Sequence, residues 1–175
     1  MMCPSYPVYW PQFYTATILD WKHVLADNNY KDIIIDSLKF LVNNKRVELN
    51  AFVIMSNHIH LIWQALNEFT PSDIQLSFMK YTSQQIKRRL KTDASDLLAE
   101  FKVNKYDRDH QIWKRGALSI ELVTPAVYFQ KLEYIHENPV RAGICKYAED
   151  YHYSSAKFYD DGVDNFEMLT HFTGN

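Results

Sequence analysis

The sequence predicts a mixed α+β fold, in which helices cover an antiparallel sheet. Runs rich in β-branched and aromatic residues predict the strands, and runs whose apolar residues recur every three or four positions predict the helices. The chain has 175 residues, of which 47% are hydrophobic. Such a chain can bury a sizeable core, so we predict a single domain over residues 1–175, with a core at about 9–143 and a C-terminal tail at 144–175.

The first strand and the first helix are predicted near the N-terminus. Residues 9–19 are rich in aromatic and β-branched types and predict a strand that begins after Pro11. Residues 30–44 place apolar side chains near a helical spacing and predict a helix of about four turns. Residues 27–29 (Asp-Asn-Asn) offer polar side chains for its N-cap.

Two strands and a second helix follow. Residues 47–55 and 59–66 are predicted to be strands, and the turn-prone pair Ser56-Asn57 between them favours an antiparallel hairpin. The polar pair Ser72-Asp73 predicts the start of a helix that extends to about Lys91.

A last strand and a third helix complete the pattern. Residues 92–111 are charged and polar without a clear period, so we expect a mobile loop or a short irregular helix there. Residues 118–123 predict a strand, and Thr124-Pro125 supply an N-cap followed by proline at the first helical position. The order strand, helix, strand, strand, helix, strand is the βαββαβ arrangement of ferredoxin-like domains, with helices on one face of the sheet and an additional C-terminal helix.

The third helix divides into an apolar and a polar side. Its core stripe is predicted to contain Tyr128, Phe129, Leu132 and Ile135. Tyr134 falls on the other side of the helix, together with Lys131 and Asn138. A tyrosine off the apolar stripe is either an ordinary exposed residue or one presented to a substrate.

Composition argues against several classes of protein. No run approaches the roughly 18 apolar residues of a membrane span, and the N-terminus lacks the pattern of a secretory signal, so we expect a cytoplasmic protein. Cys3 and Cys145 are too few for a disulfide framework or a cysteine metal site. The formal net charge of -2 lacks the basic balance typical of nucleic-acid binders, so local basic patches must decide that question.

The segment His58-Ile59-His60 is the most informative motif. Alternate residues of a strand share a face, so both imidazoles should point the same way while Ile59 and Leu61 point into the opposite layer. Two imidazoles can hold a divalent ion and leave most of its coordination sphere open for water or phosphate oxygens. The alternative is that the two histidines bind no metal and are either hydrogen-bonded to neighbouring backbone or exposed on the sheet.

Tyr134 and Asn138 stand one helical turn apart and complete a candidate site. If the third helix lies against the face that carries His58 and His60, the amide oxygen of Asn138 could be a third metal ligand. Pro139 disfavours helical geometry at Asn138, which we therefore expect to be the last residue of the helix. A divalent ion held there would polarise a phosphate while the Tyr134 phenol attacks in line.

These motifs, in this order, resemble the single-tyrosine HUH transposases, and among them the REP-associated tyrosine transposases. The resemblance extends from about Tyr9 to Tyr159. It rests on four segments, which are 56–60 (Ser-Asn-His-Ile-His), 112–113 (Ile-Trp), 134–143 (Tyr-Ile-His-Glu-Asn-Pro-Val-Arg-Ala-Gly) and 149–155 (Glu-Asp-Tyr-His-Tyr-Ser-Ser).

The resemblance implies a ferredoxin-like fold, dependence on Mg²⁺ or Mn²⁺, and cleavage and rejoining of single-stranded DNA next to imperfect hairpins through a 5′-phosphotyrosyl intermediate. It implies that His58 and His60 are metal ligands, that Tyr134 is the nucleophile and that Asn138 is the third ligand. The implied partner is single-stranded DNA with hairpins and no membrane is involved, whereas the sequence leaves monomer and homodimer open.

Basic residues are candidates for contacts to the DNA backbone. The six predicted contacts are Lys87, Arg88, Lys114, Arg115, Lys131 and Arg141. For Lys87 and Arg88 the alternative is an ordinary solvated helix face. Lys131, three residues before Tyr134, could also favour the ionised phenol.

Two other functions stay open from the sequence. One is a domesticated protein that binds hairpin DNA without cutting it. The other is an unrelated metallohydrolase that uses the histidine pair with water as nucleophile, for which Tyr134 should be dispensable. The tail residues Tyr151, Tyr153 and Tyr159 are rival nucleophiles, although tail aromatics more often pack on the domain.

Overall fold

A computed structural model describes residues 8–173. Its strands and helices are β1 (Gln12–Thr17), α1 (Asn28–Asn43), β2 (Val47–Ile54), β3 (His58–Ala65), α2 (Pro71–Thr92), α3 (Leu97–Glu100), β4 (Lys102–Lys105), β5 (Arg108–His110), β6 (Leu118–Glu121), α4 (Pro125–Arg141) and α5 (Ala156–Asp161). One antiparallel sheet has the spatial order β2, β3, β1, β6. The predicted α+β fold is confirmed, because α1 and α2 connect these strands in the βαββαβ order.

The long helices begin at polar N-cap residues, most of which can be identified in the sequence. Asp27 caps α1 and Thr124 caps α4, as predicted. The start of α2 was predicted slightly late, at Ser72, because the real cap is Thr70, which forms a reciprocal capping box with Asp73. None of the helices described is both long and apolar enough to cross a lipid bilayer.

The two faces of the sheet carry separate cores. Tyr14, Leu61 and Trp63 lie on the face covered by α1 and α2, where the Trp63 ring meets Phe78 of α2 edge to face at 5.4 Å. The opposite face carries a second apolar cluster, made of residues from the strands and from α4, which are Phe13, Ala51, Val53, Ile62, Tyr128, Leu132 and Ile135. The predicted C-terminal helix therefore covers the face that α1 and α2 leave free.

Two local predictions differ from the structure. Residues 92–111 were expected to form a mobile loop or a short irregular helix; the short helix is present as α3, but the separate two-stranded hairpin of β4 and β5 was not predicted. The hairpin gives little sequence signal because its side chains are mostly solvated, while Phe101 before it is fully buried. Phe129 was expected in the core stripe of α4, but 61% of it is exposed.

The C-terminal tail covers the free edge of β2, where an unpaired strand would otherwise expose its backbone groups. The backbone N–H of Ile54 donates to the carbonyl of Tyr153, and the N–H of Ser155 donates to that of Phe52. Three tail tyrosines donate their hydroxyls inward, Tyr151 to the Ile54 carbonyl, Tyr153 to Asp32 and Tyr159 to the Asn50 carbonyl. The expectation that the tail aromatics pack on the domain is confirmed.

Replacing Ser155 by alanine is expected to destabilise the protein by about 1–3 kcal/mol. Its hydroxyl accepts from the Phe52 N–H at 3.0 Å and lies 2.9 Å from Nε2 of His136 in α4. The change therefore leaves the buried Phe52 N–H and the half-buried His136 nitrogen without this partner. Urea unfolding measures the effect. The control Ser72→Ala, at an exposed position of α2, should change stability by less than about 0.5 kcal/mol. An unchanged unfolding midpoint for Ser155→Ala would show that these hydrogen bonds do not stabilise the protein.

Candidate active site

β3 places His58 and His60 on one face of the sheet. Ile59 and Leu61 point to the other side and are fully buried in the core under α1 and α2. The two imidazole rings lie on the α4 side with their centroids 4.9 Å apart. The predicted alternation is therefore present, and the two rings are close enough to act on one bound ion.

Neighbouring side chains hold the two rings through their Nδ1 atoms. The Thr15 hydroxyl on β1 lies 2.7 Å from Nδ1 of His60, and Oδ1 of Asn57 lies 2.7 Å from Nδ1 of His58. Such outer partners fix the orientation of a ligating histidine and leave its Nε2 atom for a metal. Nε2 of His60 is buried and has no hydrogen-bond partner among residues 8–173.

Both imidazoles are kept in the neutral form that binds metals. Burial lowers the pKa of His58, and the interaction with the Asn138 side chain opposes that shift. Burial lowers the pKa of His60 to about 3, and repulsion from His58, when that ring is protonated, and from Lys131 adds to the effect. The buried, unpartnered nitrogen and the neutral rings together fit a divalent cation.

α4 brings Tyr134 to the histidine pair. Tyr134 lies off the buried stripe, is 38% exposed, and has its ring centroid 5.1 Å from that of His60 and 6.0 Å from that of Phe13. Tyr128 and Ile135, on the buried side of the same helix, anchor α4 to the sheet. The candidate site requires α4 to lie against the sheet face that carries His58 and His60, and α4 lies there.

Two cations flank the Tyr134 ring. Nζ of Lys131 lies 5.9 Å from the ring centroid, and Cζ of Arg141 lies 5.7 Å from it. Lys131, Tyr134, Asn138 and Arg141 recur every three or four residues, which places them on one side of α4. This side therefore presents a phenol, an amide and two positive charges beside the imidazoles.

Asn138 takes part in a regular helical turn, contrary to the prediction that it would end the helix. α4 continues through Pro139 to Arg141 and ends where Gly143 adopts a φ of +70°. The N–H of Ile144 then donates to the Pro139 carbonyl and that of Gly143 to Val140, a closing pattern that satisfies the last carbonyls. A residue before proline disfavours helical geometry, but this preference is outweighed because Pro139 is buried and the last carbonyls of the helix are hydrogen-bonded.

The other predicted DNA contacts lie in two different places. Lys87, Lys114 and Arg115 line a groove of about 720 Å³ between α2 and residues 107–117. Arg88 points elsewhere, into a cleft with Ile33 of α1. The structure thus separates Arg88 from the other five candidates.

The groove and the histidine site are linked around the sheet edge. A smaller cavity of about 110 Å³ is lined by Lys114 and Arg115 together with Thr15 and Thr17 of β1. Thr15 is the residue that holds His60. The loop at 114–117 therefore carries positive charge from the groove to the immediate surroundings of the histidines.

Sequence reasoning missed two residues that shape the site. Thr15 and Phe13 lie on β1, and Phe13 stacks on His60 with ring centroids 5.5 Å apart. A further neighbour, Trp21 in the turn after β1, meets the His58 ring edge to face at 6.1 Å. Alternation on β1 would have placed Phe13 and Thr15 on one face, but only the register between β1 and β3 shows which residues they meet.

Comparisons with known proteins relate the chain to transposases. The family model for IS200-like transposases matches residues 16–116, more than half of the chain, and this segment contains both histidines but ends before Tyr134. A structure of a REP-associated tyrosine transposase bound to a REP hairpin is similar over 100% of this chain and 96% of its own, with 16% identity and a TM-score of 0.63. At this identity the likeness concerns the fold.

A putative transposase from Deinococcus radiodurans R1 covers 79% of this chain and 97% of its own, with 18% identity and a TM-score of 0.47. No curated protein matches the chain.

Proposed function

This chain belongs to the IS200-like transposase family, and from that premise we propose that it is a metal-dependent enzyme that cleaves and rejoins single-stranded DNA next to hairpins, with Tyr134 as nucleophile. One observation carries the proposal. The Tyr134 ring lies 5.1 Å from the ring of His60, whose buried Nε2 atom has no partner among the described residues.

The metal ligands in this proposal are His58, His60 and Asn138. We assign the third protein donor to the amide oxygen of Asn138, which the resemblance implies and whose side chain interacts with His58. The amide oxygen, together with phosphate and water oxygens, is the type of donor that Mg²⁺ and Mn²⁺ prefer. We propose these two ions because the resemblance to HUH transposases implies them. A bound divalent ion supplies the positive charge that polarises the scissile phosphate.

Tyr134 carries out the bond exchange. Its phenolic oxygen forms a bond to phosphorus while the bond from phosphorus to the 3′ oxygen breaks, which gives a 5′-phosphotyrosyl link and a free 3′-OH. The phenol loses a proton and the leaving oxygen gains one, so the exchange is balanced. Attack by a 3′-OH on the phosphotyrosyl link reverses the step and rejoins the strand without ATP.

Lys131 and Arg141 place positive charge beside Tyr134. Nζ of Lys131 and Cζ of Arg141 both lie within 6 Å of the Tyr134 ring centroid, at 5.9 and 5.7 Å. In this proposal the two cations contact phosphates of the bound strand and so hold the strand next to the attacking oxygen.

The proposed DNA partner contains a hairpin. The solved transposase with the similar fold is bound to a REP hairpin, and we extend that type of ligand to this chain. The overall charge of -2 does not favour nucleic acid, but the described structure gathers Lys87, Lys114 and Arg115 in one groove that leads to the site. The local positive charge of this groove therefore supports DNA binding, although the net charge of the chain does not.

One assay tests the proposal. The protein is incubated with Mn²⁺ and end-labelled single-stranded hairpin oligonucleotides, and covalent adducts are sought on a denaturing gel. We expect an adduct that depends on the metal and on single-stranded DNA flanking the hairpin. Binding without an adduct would favour a domesticated binding protein, and hydrolysis of small phosphoesters without an adduct would favour a metallohydrolase with water as nucleophile.

The double variant Lys114→Ala and Arg115→Ala is expected to weaken DNA binding and its salt dependence. Each contact to a single-stranded phosphate contributes about 0.7 to the slope of log affinity against log salt, so the slope should fall by about 1.4. Fluorescence anisotropy over a range of salt concentrations measures it. Arg88→Ala, on another side of α2, is the matched control and should leave the slope unchanged. Equal slopes for the unmodified protein, the double variant and Arg88→Ala would show that the loop at 114–117 does not contact the DNA.

A further inference from the structure

The turn after β1 holds two neighbouring residues in an unusual backbone conformation. Asp20 has a φ of +53° and Trp21 a φ of +56°, the left-handed region that side chains other than glycine rarely occupy. Such geometry persists only where the surrounding structure fixes it, and it is often found at functional sites. The turn lies next to the candidate metal ligand His58.

Asn57 ties this turn to the candidate metal ligand. Its Nδ2 donates to the Trp21 carbonyl at 3.3 Å, and its backbone carbonyl accepts from the Ile18 N–H at 2.8 Å. Its Oδ1 lies 2.7 Å from Nδ1 of His58. One asparagine therefore fixes both the orientation of His58 and the position of Trp21.

The Trp21 side chain is presented to solvent beside the site. It is 54% exposed although it is the largest apolar type, and its ring meets that of His58 edge to face at 6.1 Å. The carboxylate of Asp20 next to it is paired with Lys22 at 2.9 Å, which reduces its repulsion of a nucleic acid. An indole face is thus available where a strand held at the histidines would continue.

We propose that Trp21 is a stacking platform for the unpaired base of a nucleotide next to the phosphate held at His58 and His60. The inference rests on the proposed function, because it takes single-stranded DNA as the ligand of that site. Aromatic faces bind unpaired bases of any sequence, since every base has a π-face. Trp21 would then position the strand so that the scissile phosphate faces Tyr134.

The test measures binding, with cleavage switched off by Tyr134→Phe in every protein. Trp21→Leu keeps an apolar side chain beside His58 but cannot stack, and Trp10→Leu changes a tryptophan of similar exposure (45%) beyond the other end of β1. The probes are a short oligo(dT) and the same strand with abasic sites in place of its bases. We expect Trp21→Leu to bind oligo(dT) about 5- to 150-fold more weakly, whereas Trp10→Leu should be unchanged.

A merely structural role for Trp21 would give a different pattern. If Trp21 stacks on a base, abasic DNA should bind equally well to the parent and to Trp21→Leu. Removing the base and removing the indole abolish the same stacking interaction, so the second change has no further effect. Mn²⁺ affinity, measured by calorimetry, should also stay unchanged. Equal affinity of parent and variant for oligo(dT), or an equal loss on abasic DNA, would overturn the inference.

The failure of this inference can be told from a failure of the proposed function. A normal adduct in the unmodified protein together with unaltered oligo(dT) binding by Trp21→Leu would overturn only the stacking role. A protein that forms no adduct on any hairpin would overturn the proposed chemistry, while the binding measurements would still decide whether Trp21 stacks.

Discussion

Replacing Tyr134 by phenylalanine is expected to abolish the covalent adduct and to lower DNA cleavage by at least about 10⁴-fold, the scale on which enzymes respond to loss of the nucleophile. Phenylalanine keeps the ring that packs 5.1 Å from His60 and 6.0 Å from Phe13, but it lacks the attacking oxygen. The rate of adduct formation on a denaturing gel measures the loss. Circular dichroism should show an unchanged fold.

Matched tyrosine controls make this result specific. Tyr147 is 52% exposed and follows α4, so Tyr147→Phe should leave the adduct intact. Tyr151→Phe tests a rival nucleophile whose hydroxyl donates to the Ile54 carbonyl and whose pKa burial raises to about 12. An adduct that survives in Tyr134→Phe and disappears in Tyr151→Phe would place the chemistry in the tail instead of α4.

The second large effect concerns the metal. Mn²⁺ is expected to stabilise the unmodified protein, by about 2.7 kcal/mol at a concentration one hundred times its dissociation constant. His60→Ala should lose this stabilisation, because it removes the buried Nε2 atom that has no partner among the described residues. Thermal unfolding with and without Mn²⁺ measures the difference, and it needs no DNA and no catalysis.

A histidine outside the pair provides the control for the metal experiment. His110 lies in β5, on the separate hairpin, and its replacement by alanine should leave the Mn²⁺ effect unchanged. His58→Ala should behave like His60→Ala. If Mn²⁺ stabilised His60→Ala as much as the unmodified protein, the histidine pair would not be the metal site.

The features that the sequence predicted correctly are those set by local periodicity. Two-residue alternation placed His58 and His60 on one face of β3, and helical periodicity placed Tyr134 off the buried stripe of α4. The cap at Thr124 fixed the start of that helix. Local rules of this kind depend on neighbouring residues only, so they can be applied before the fold is known.

The features that were missed depend on residues far apart in the chain. The contact of Thr15 with His60 spans 45 positions and follows from the register of β1 on β3, which no single segment contains. The left-handed turn at Trp21 is held by Asn57, from the distant turn between β2 and β3. The prediction that α4 ends before Pro139 was wrong. Burial of Pro139 against the domain outweighs the local preference of the preceding residue for extended backbone.

The central claim is that Tyr134 becomes joined to the 5′ end of a cleaved strand. Digestion of the trapped adduct with protease and nuclease, followed by tandem mass spectrometry, tests it most directly. The account predicts a nucleotide phosphate attached to the peptide that contains Tyr134, with a free 3′-OH on the released strand. A phosphate on any other residue, or cleaved DNA that ends in a 5′-phosphate with no peptide attached, would contradict it.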